Sequence, residues 1–179
     1  GAHLAEMGIE VRLDRPAVGS DLQDHIDYVA AFETEGSFFL GRSPIGTLKS
    51  LGAMAQWLLT RRGGMTSPFA EAGGFLRTEL AGARPDVQLH FLIAIVEDHG
   101  RTKVKGHGYS CHACVLRPES RGTVRLQSPD AASAPLIDPA FLSDPRDMEV
   151  LKAGVRAMYR ILDTPPLADY KGRDRYPID

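Results

Sequence analysis

The chain has 179 residues, 43% hydrophobic and 25% charged, with a formal net charge of −2 at pH 7. That length supports one ordinary domain core, and near-neutral charge without a basic stripe excludes nucleic acid as the main partner. No apolar run approaches the roughly 20 residues that span a bilayer, and high apolar content with little net charge excludes intrinsic disorder.

The chain opens on Gly1-Ala2-His3-Leu4, with neither an initiator Met nor a signal-peptide pattern, so cytoplasm is the default expectation. Residues 2–7 read as the end of a helix closed by Gly8, and Ile9-Glu10-Val11-Arg12-Leu13 alternates like a short half-buried strand. A turn-rich stretch, 14–21, leads to a strand expected over Tyr28–Thr34. A helix follows, with Leu48, Leu51, Ala55 and Leu58 on one stripe widened by Met54 and Leu59. Arg61 and Arg62 are expected in its last turn, with Gly63-Gly64 as the C-cap.

Further strands are expected at Phe75–Thr78, Val87–Val96, Tyr109–Leu116 and Thr123–Gln127. The last helix has the clearest start: Asp144 as N-cap, Pro145 at the first helical position and Asp147 in the first turn. Met148, Leu151, Val155, Met158 and Leu162 form its apolar stripe, and Thr164-Pro165-Pro166 stops it. Together these elements predict an α+β fold, a mostly antiparallel β-sheet with helices packed on one face.

The Val87–Val96 strand is two-faced. Val87, Leu89, Phe91, Ile93 and Ile95 share one face that should meet the helices, while Gln88, His90, Leu92, Ala94 and Val96 share the other. That second face is either an ordinary half-wet sheet surface or a ligand-facing wall.

Chemistry-bearing motifs are few. There is no G-x-G-x-x-G and no P-loop. Gly41-Arg42-Ser43-Pro44-Ile45-Gly46 has the wrong spacing for a nucleophile elbow and reads as a polar turn before a helix. Cys111-His112-Ala113-Cys114, with His99 and His107 upstream, raises a zinc site, but Cys111 and Cys114 fall on opposite faces of a strand. Two buried, reduced thiols are the favoured reading, and no metal is expected. The carboxylate pairs Glu33/Glu35 and Asp144/Asp147 lack an enclosed setting for acid–base work.

An ordered series of segments resembles the glucose–methanol–choline family of FAD-dependent oxidoreductases, in its choline and alcohol dehydrogenase branch. Pro16-Ala17-Val18-Gly19-Ser20-Asp21-Leu22-Gln23-Asp24-His25 is similar to the family's P-G-V-G-x-N-L-Q-D-H. Arg62–Thr66, Glu71–Arg77 and Pro85–Phe91 follow the middle region. Leu116–Leu126 is similar to L-x-P-x-S-R-G-x-V-x-L, and Pro135–Pro139 with Leu142–Asp147 completes the order. Ala17, Asp21 and Ala131 depart from a usual Gly, Asn and Pro.

The resemblance implies residues 1–25 as the tail of an FAD-binding domain and 26–179 as a substrate-binding domain. The dinucleotide-binding fold is expected before Gly1, and the catalytic H-P-x-G-T-x-x-M-G segment after Asp179. It further implies FAD in the intact enzyme, none bound to this piece, and oxidation of a small primary alcohol to an aldehyde. No catalytic residue is expected within the chain. Val18, Gly19, Asp21, Leu22, Asp24 and His25 are expected near the flavin; Gln88, His90, Val96, Ala70 and Glu71 are expected to line the substrate pocket. Relatives have an aromatic before the residue matching Glu71 where this chain has Ala70; Phe69 and Trp57 are the possible substitutes for holding a quaternary ammonium. Choline and an aliphatic or glycol-like alcohol therefore stay equally open. The rival reading is a stand-alone, non-catalytic binding domain.

Overall fold

We describe a computed structural model covering residues 1–97 and 101–177. A short helix α1 (Ala2–Glu6) precedes β1 (Ile26–Glu33), β2 (Gly41–Arg42), α2 (Pro44–Thr60), β3 (Ala70–Leu76) and β4 (Val87–Leu92). Then come β5 (Gly106–Val115), β6 (Thr123–Arg125), β7 (Leu136–Asp138), α3 (Pro145–Leu162) and β8 (Arg173–Asp174). The main sheet runs β3-β4-β5-β1-β8 with β2 added on β5, and every pairing in it is antiparallel. The expected α+β class with an antiparallel sheet holds.

Strand β5 lies between β4 and β1. Val115 pairs with Val87 on one side and Ile26 on the other, and Cys111 pairs with Phe91 and Ala30. Period-two alternation sends Tyr109, Cys111, Ala113 and Val115 to one face, joined by Ala30 and Phe32 of β1 and Val87 and Leu89 of β4. Helix α3 covers that face with Val150, Val155, Met158 and Leu162. Its buried stripe is rotated from the expected one toward Asp147, Val150 and Gly154. The reason is close approach: a Cβ on Gly154 would lie 2.9 Å from the Val87 methyls, so the bare backbone is what sits on the sheet. Burial raises the Tyr109 hydroxyl and the Cys111 thiol to about 12 and Cys114 to about 11. Both cysteines are therefore protonated, inert core residues.

Several expectations are corrected. Residues 9–13 form no strand; the Ile9 amide instead donates to the Leu4 carbonyl at 2.9 Å, and no strand among the described residues pairs with them. Strand β4 stops at Leu92, because the Ile93 amide turns to the Phe69 carbonyl (3.1 Å) and the Ser110 hydroxyl donates to the Ala94 carbonyl. Val96 is thereby taken off the Gln88/His90 face. Helix α2 ends at Thr60 with Arg61 itself in the left-handed region (φ 56°), its guanidinium 4.4 Å over the Trp57 ring. Stacking of the cation on the indole favours this ending over the Gly63-Gly64 cap. The α2 stripe also stays off the sheet: Leu48, Leu51, Met54, Leu58 and Leu59 are exposed, Leu59 at 86%. Of the two long helices, α3 is the one that packs on the core face. The two-residue strands β2 and β8 were not expected, nor was β7.

The first turn of α3 is clamped. Asp144 caps the helix by accepting from the Arg146 amide, as expected. Asp147, 2% exposed, accepts from the Glu119 amide (2.7 Å), the Ser120 amide (3.0 Å) and the Ser120 hydroxyl (2.5 Å). Burial opposes ionisation, but these hydrogen bonds and the Arg121 charge outweigh it and hold the carboxyl below its ordinary value of 3.8. Because the folded pKa is lowered, its stabilisation is complete above the unfolded pKa and is lost as pH falls through the folded one. Asp147→Ala should cost about 2–4 kcal/mol at pH 7, since two amides and a hydroxyl lose a charged acceptor. Urea unfolding should show the difference from wild type shrinking as pH is lowered below 4.

Candidate functional site

The face of the sheet opposite α3 carries the polar groups. Strands β3 and β4 pair with a register shift between Ala70 and Ala72, so that Glu71 is the extra residue of a β-bulge. A bulge re-aims its side chain out of the regular pleat. Glu71 then shares a shallow groove of about 320 Å³ with Ala70, Gly73, Gly74, Gln88 and His90. His90 pairs with Gly73, and Gln88 with Phe75. The absent side chain at Gly73, opposite His90, keeps the groove floor low. Four of the five expected pocket residues, Ala70, Glu71, Gln88 and His90, are thus brought together, and Val96 is not.

The polar row continues across the sheet. His90 pairs with His112 of β5, and their rings stand perpendicular with centroids 6.5 Å apart. On its other side the His112 Nδ1 is 2.6 Å from the Asp27 carboxylate of β1. Asp27 and His112 were not singled out as site residues from the sequence. The signal was the shared parity of His90 and His112, but it becomes readable only once the β4–β5 register is known.

The residues expected near a flavin divide. Val18, Gly19 and Leu22 line a largely apolar groove of about 940 Å³ with Leu4, Leu13 and Leu126. Leu22 is fixed by reciprocal backbone hydrogen bonds with Gly122 at 3.0 and 2.7 Å. Gly19 has φ 79°, and the Val124 carbonyl occupies the place a Cβ would take. Asp21 (φ 57°), Asp24 and His25 are exposed outside the groove lining, and the Asp24 Oδ1 accepts from the His25 amide at 2.8 Å. A flat apolar ring system with a polar edge fits such a wall of Val18 and Leu22 flanked by exposed polar side chains.

Other candidate chemistry proves structural. Cys111 and Cys114 lie on opposite faces of β5, no group of His, Cys, Asp and Glu suited to a metal occurs among the described residues, and His99 lies outside them. Glu33 pairs with Arg173 and Arg175 at the β1–β8 edge, where the Arg173 hydrogen bond leads the causes holding its carboxyl below the usual range. Ser43 caps α2: its Oγ takes the Gly46 amide at 3.0 Å and lies 2.6 Å from the His107 Nε2. The His107 Nδ1 in turn lies 2.9 Å from the Phe39 carbonyl. This chain of hydrogen bonds ties the start of α2 to β5.

Comparison with known proteins adds to this geometry. The family described as GMC oxidoreductase matches residues 118–178. Over 98% of its length the chain is 38% identical to an alcohol dehydrogenase [acceptor] of Pseudomonas putida, of which it covers 32%. Over 99% of its length it is 35% identical to an oxygen-dependent choline dehydrogenase of Rhizobium rhizogenes, again covering 32% of that protein. The chain thus spans about a third of the length of these curated relatives. Among solved structures, a formate oxidase superposes with a TM-score of 0.84 at 22% identity, over 99% of this chain and 36% of that one. A pyridoxine 4-oxidase from Mesorbium loti superposes at 0.73 with 23% identity, over 99% of this chain and 31% of that one. These structures share the fold.

The Ser43–His107 connection makes a prediction. Ser43→Ala and His107→Ala should each speed amide hydrogen exchange in the first turns of α2 and leave the centre of β5 unchanged. Stability should fall by about 0.5–2 kcal/mol, the usual worth of an N-cap. Reaction of Ser43 with a fluorophosphonate would contradict the purely structural role.

Proposed function

We propose that this chain, similar to GMC oxidoreductases, belongs to that family and that its residues 26–179 form the substrate-binding part of an FAD-dependent alcohol dehydrogenase. The observation that carries this reading is the β3–β4 groove, where a bulge presents Glu71 beside Gln88 and His90 on the face that α3 leaves open. The reaction is oxidation of a primary alcohol to an aldehyde. FAD, when bound, supplies the hydride acceptor.

The residues of this chain bind and orient. His90 and Gln88 hydrogen-bond the hydroxyl end of the alcohol, and Glu71 with Ala70 sets what the other end meets. A carboxylate at this place favours a cationic head group, and the missing aromatic at Ala70 weakens it. Removal of the hydroxyl proton falls to a base outside this chain. Residues 1–25 close the cofactor-binding part, with Val18, Gly19 and Leu22 as an apolar wall and Asp21, Asp24 and His25 as its polar contacts. The exposed α2 leucines and the groove beside β6 are surfaces that the remaining polypeptide covers, since burying them recovers about 25 cal/mol per Å² of apolar area.

Steady-state rates and flavin bleaching of the flavin-loaded full-length polypeptide test this. Primary alcohols should reduce the flavin, and His90→Ala should lower kcat/KM by about tenfold, the loss of one hydrogen bond to the alcohol hydroxyl. Glu71→Gln should lower kcat/KM for choline more than for an aliphatic alcohol, because it removes the carboxylate that favours a cationic head group. Absence of bleaching by any primary alcohol overturns the reading.

A further inference from the structure

His112 is built into the sheet in a way that the pocket reading leaves unused. Its Nδ1 is held at 2.6 Å by the Asp27 carboxylate, which makes Nδ1 a protonated nitrogen, so that in the neutral imidazole Nε2 is an acceptor. That Nε2 is buried and has no hydrogen-bond partner. Buried polar atoms without partners are few in native proteins and call for a reason. The groups around the imidazole are Asp27 from β1, His90 and Gln88 from β4, and Ser110 and Cys114 from β5 itself. The Ser110 hydroxyl is already committed to the Ala94 carbonyl, and the Cys114 thiol to its neighbour's carbonyl at 3.9 Å. His90 is the directly paired residue, and its perpendicular ring stands beside His112.

We propose that Asp27 and His112 are positioning residues for His90. Asp27 locks the His112 tautomer, and the free Nε2 of His112 accepts the N–H of the His90 ring. The other His90 nitrogen is then left as a hydrogen-bond acceptor facing the groove and the hydroxyl of the alcohol. Closing the gap takes side-chain rotation alone, because the pairing register already sets the two residues side by side. The assignment rests on the proposed alcohol-binding role of the groove and adds its second layer.

Two measurements separate the two claims. In this chain, with ring nitrogens labelled, NMR should show His90 in one dominant tautomer. His112→Leu should convert it to a mixture, and His112→Gln, which keeps an acceptor oxygen, should restore it. An unchanged His90 tautomer in His112→Leu overturns the proposal whatever the enzyme does. In the flavin-loaded full-length polypeptide, His112→Leu should lower kcat about tenfold with KM within twofold and flavin content unchanged, and His112→Gln should recover most of the loss. Asp27→Ala combined with His112→Leu should be no slower than His112→Leu alone. Losses that multiply would show independent roles and overturn the coupling. A full-length protein that oxidises no alcohol would overturn the functional reading while the tautomer experiment still decides the His112–His90 contact.

Discussion

Everything in this fold hangs on β5 being paired on both edges while each of its faces does a different job. Its eight residues from Gly108 to Val115 bond to β1, and Ser110 to Val115 bond to β4 as well. Once those ladders are set, alternation leaves no freedom: Tyr109, Cys111, Ala113 and Val115 must go under α3, and Ser110, His112 and Cys114 must go to the opposite face. A slip of one residue would place imidazole and hydroxyl under α3 and thiol and tyrosine on the open side. The core and the polar row are therefore two consequences of a single register.

That coupling fixes where the polar residues beside the groove stand. His90, His112 and Asp27 stand on three adjacent strands rather than on loops, so their Cα positions follow the sheet. Glu71 is the exception, presented by a bulge on the outer strand β3, where the ladder is broken locally and its direction differs from its neighbours'. The core side is held equally firmly, since the Asp147 clamp joins the first turn of α3 to the Glu119–Ser120 backbone. By contrast α2 is attached mainly at its start, through Ser43 and His107, and its leucine stripe faces outward.

Legibility followed the range of the interactions. The ends of α3 were readable because Asp144, Pro145 and the Thr164-Pro165-Pro166 stop act within a few residues of themselves. The two faces of β4 were readable for the same reason, and with them Gln88 and His90. The extent of β4 was not: it ends where the Ile93 amide finds the Phe69 carbonyl, a partner more than twenty residues away. The helical periodicity of α2 was correct, yet periodicity only says that a stripe exists and is silent on what covers it. The residues expected near a flavin show the same split, with Val18, Gly19 and Leu22 lining one groove and Asp21, Asp24 and His25 outside its lining.

The sequence by itself determined the fold class, the helix ends set by local caps, the inert setting of the two cysteines, and, through an ordered series of motifs, the resemblance to GMC oxidoreductases. Those properties depend on spacing, side-chain chemistry and neighbours along the chain. Only the tertiary structure decided that Val96 leaves the site, that a bulge brings Glu71 to His90, and that Asp27 and His112 stand behind them. Each of these depends on which residue of one strand faces which residue of another, and that choice is made by the whole sheet closing over one core.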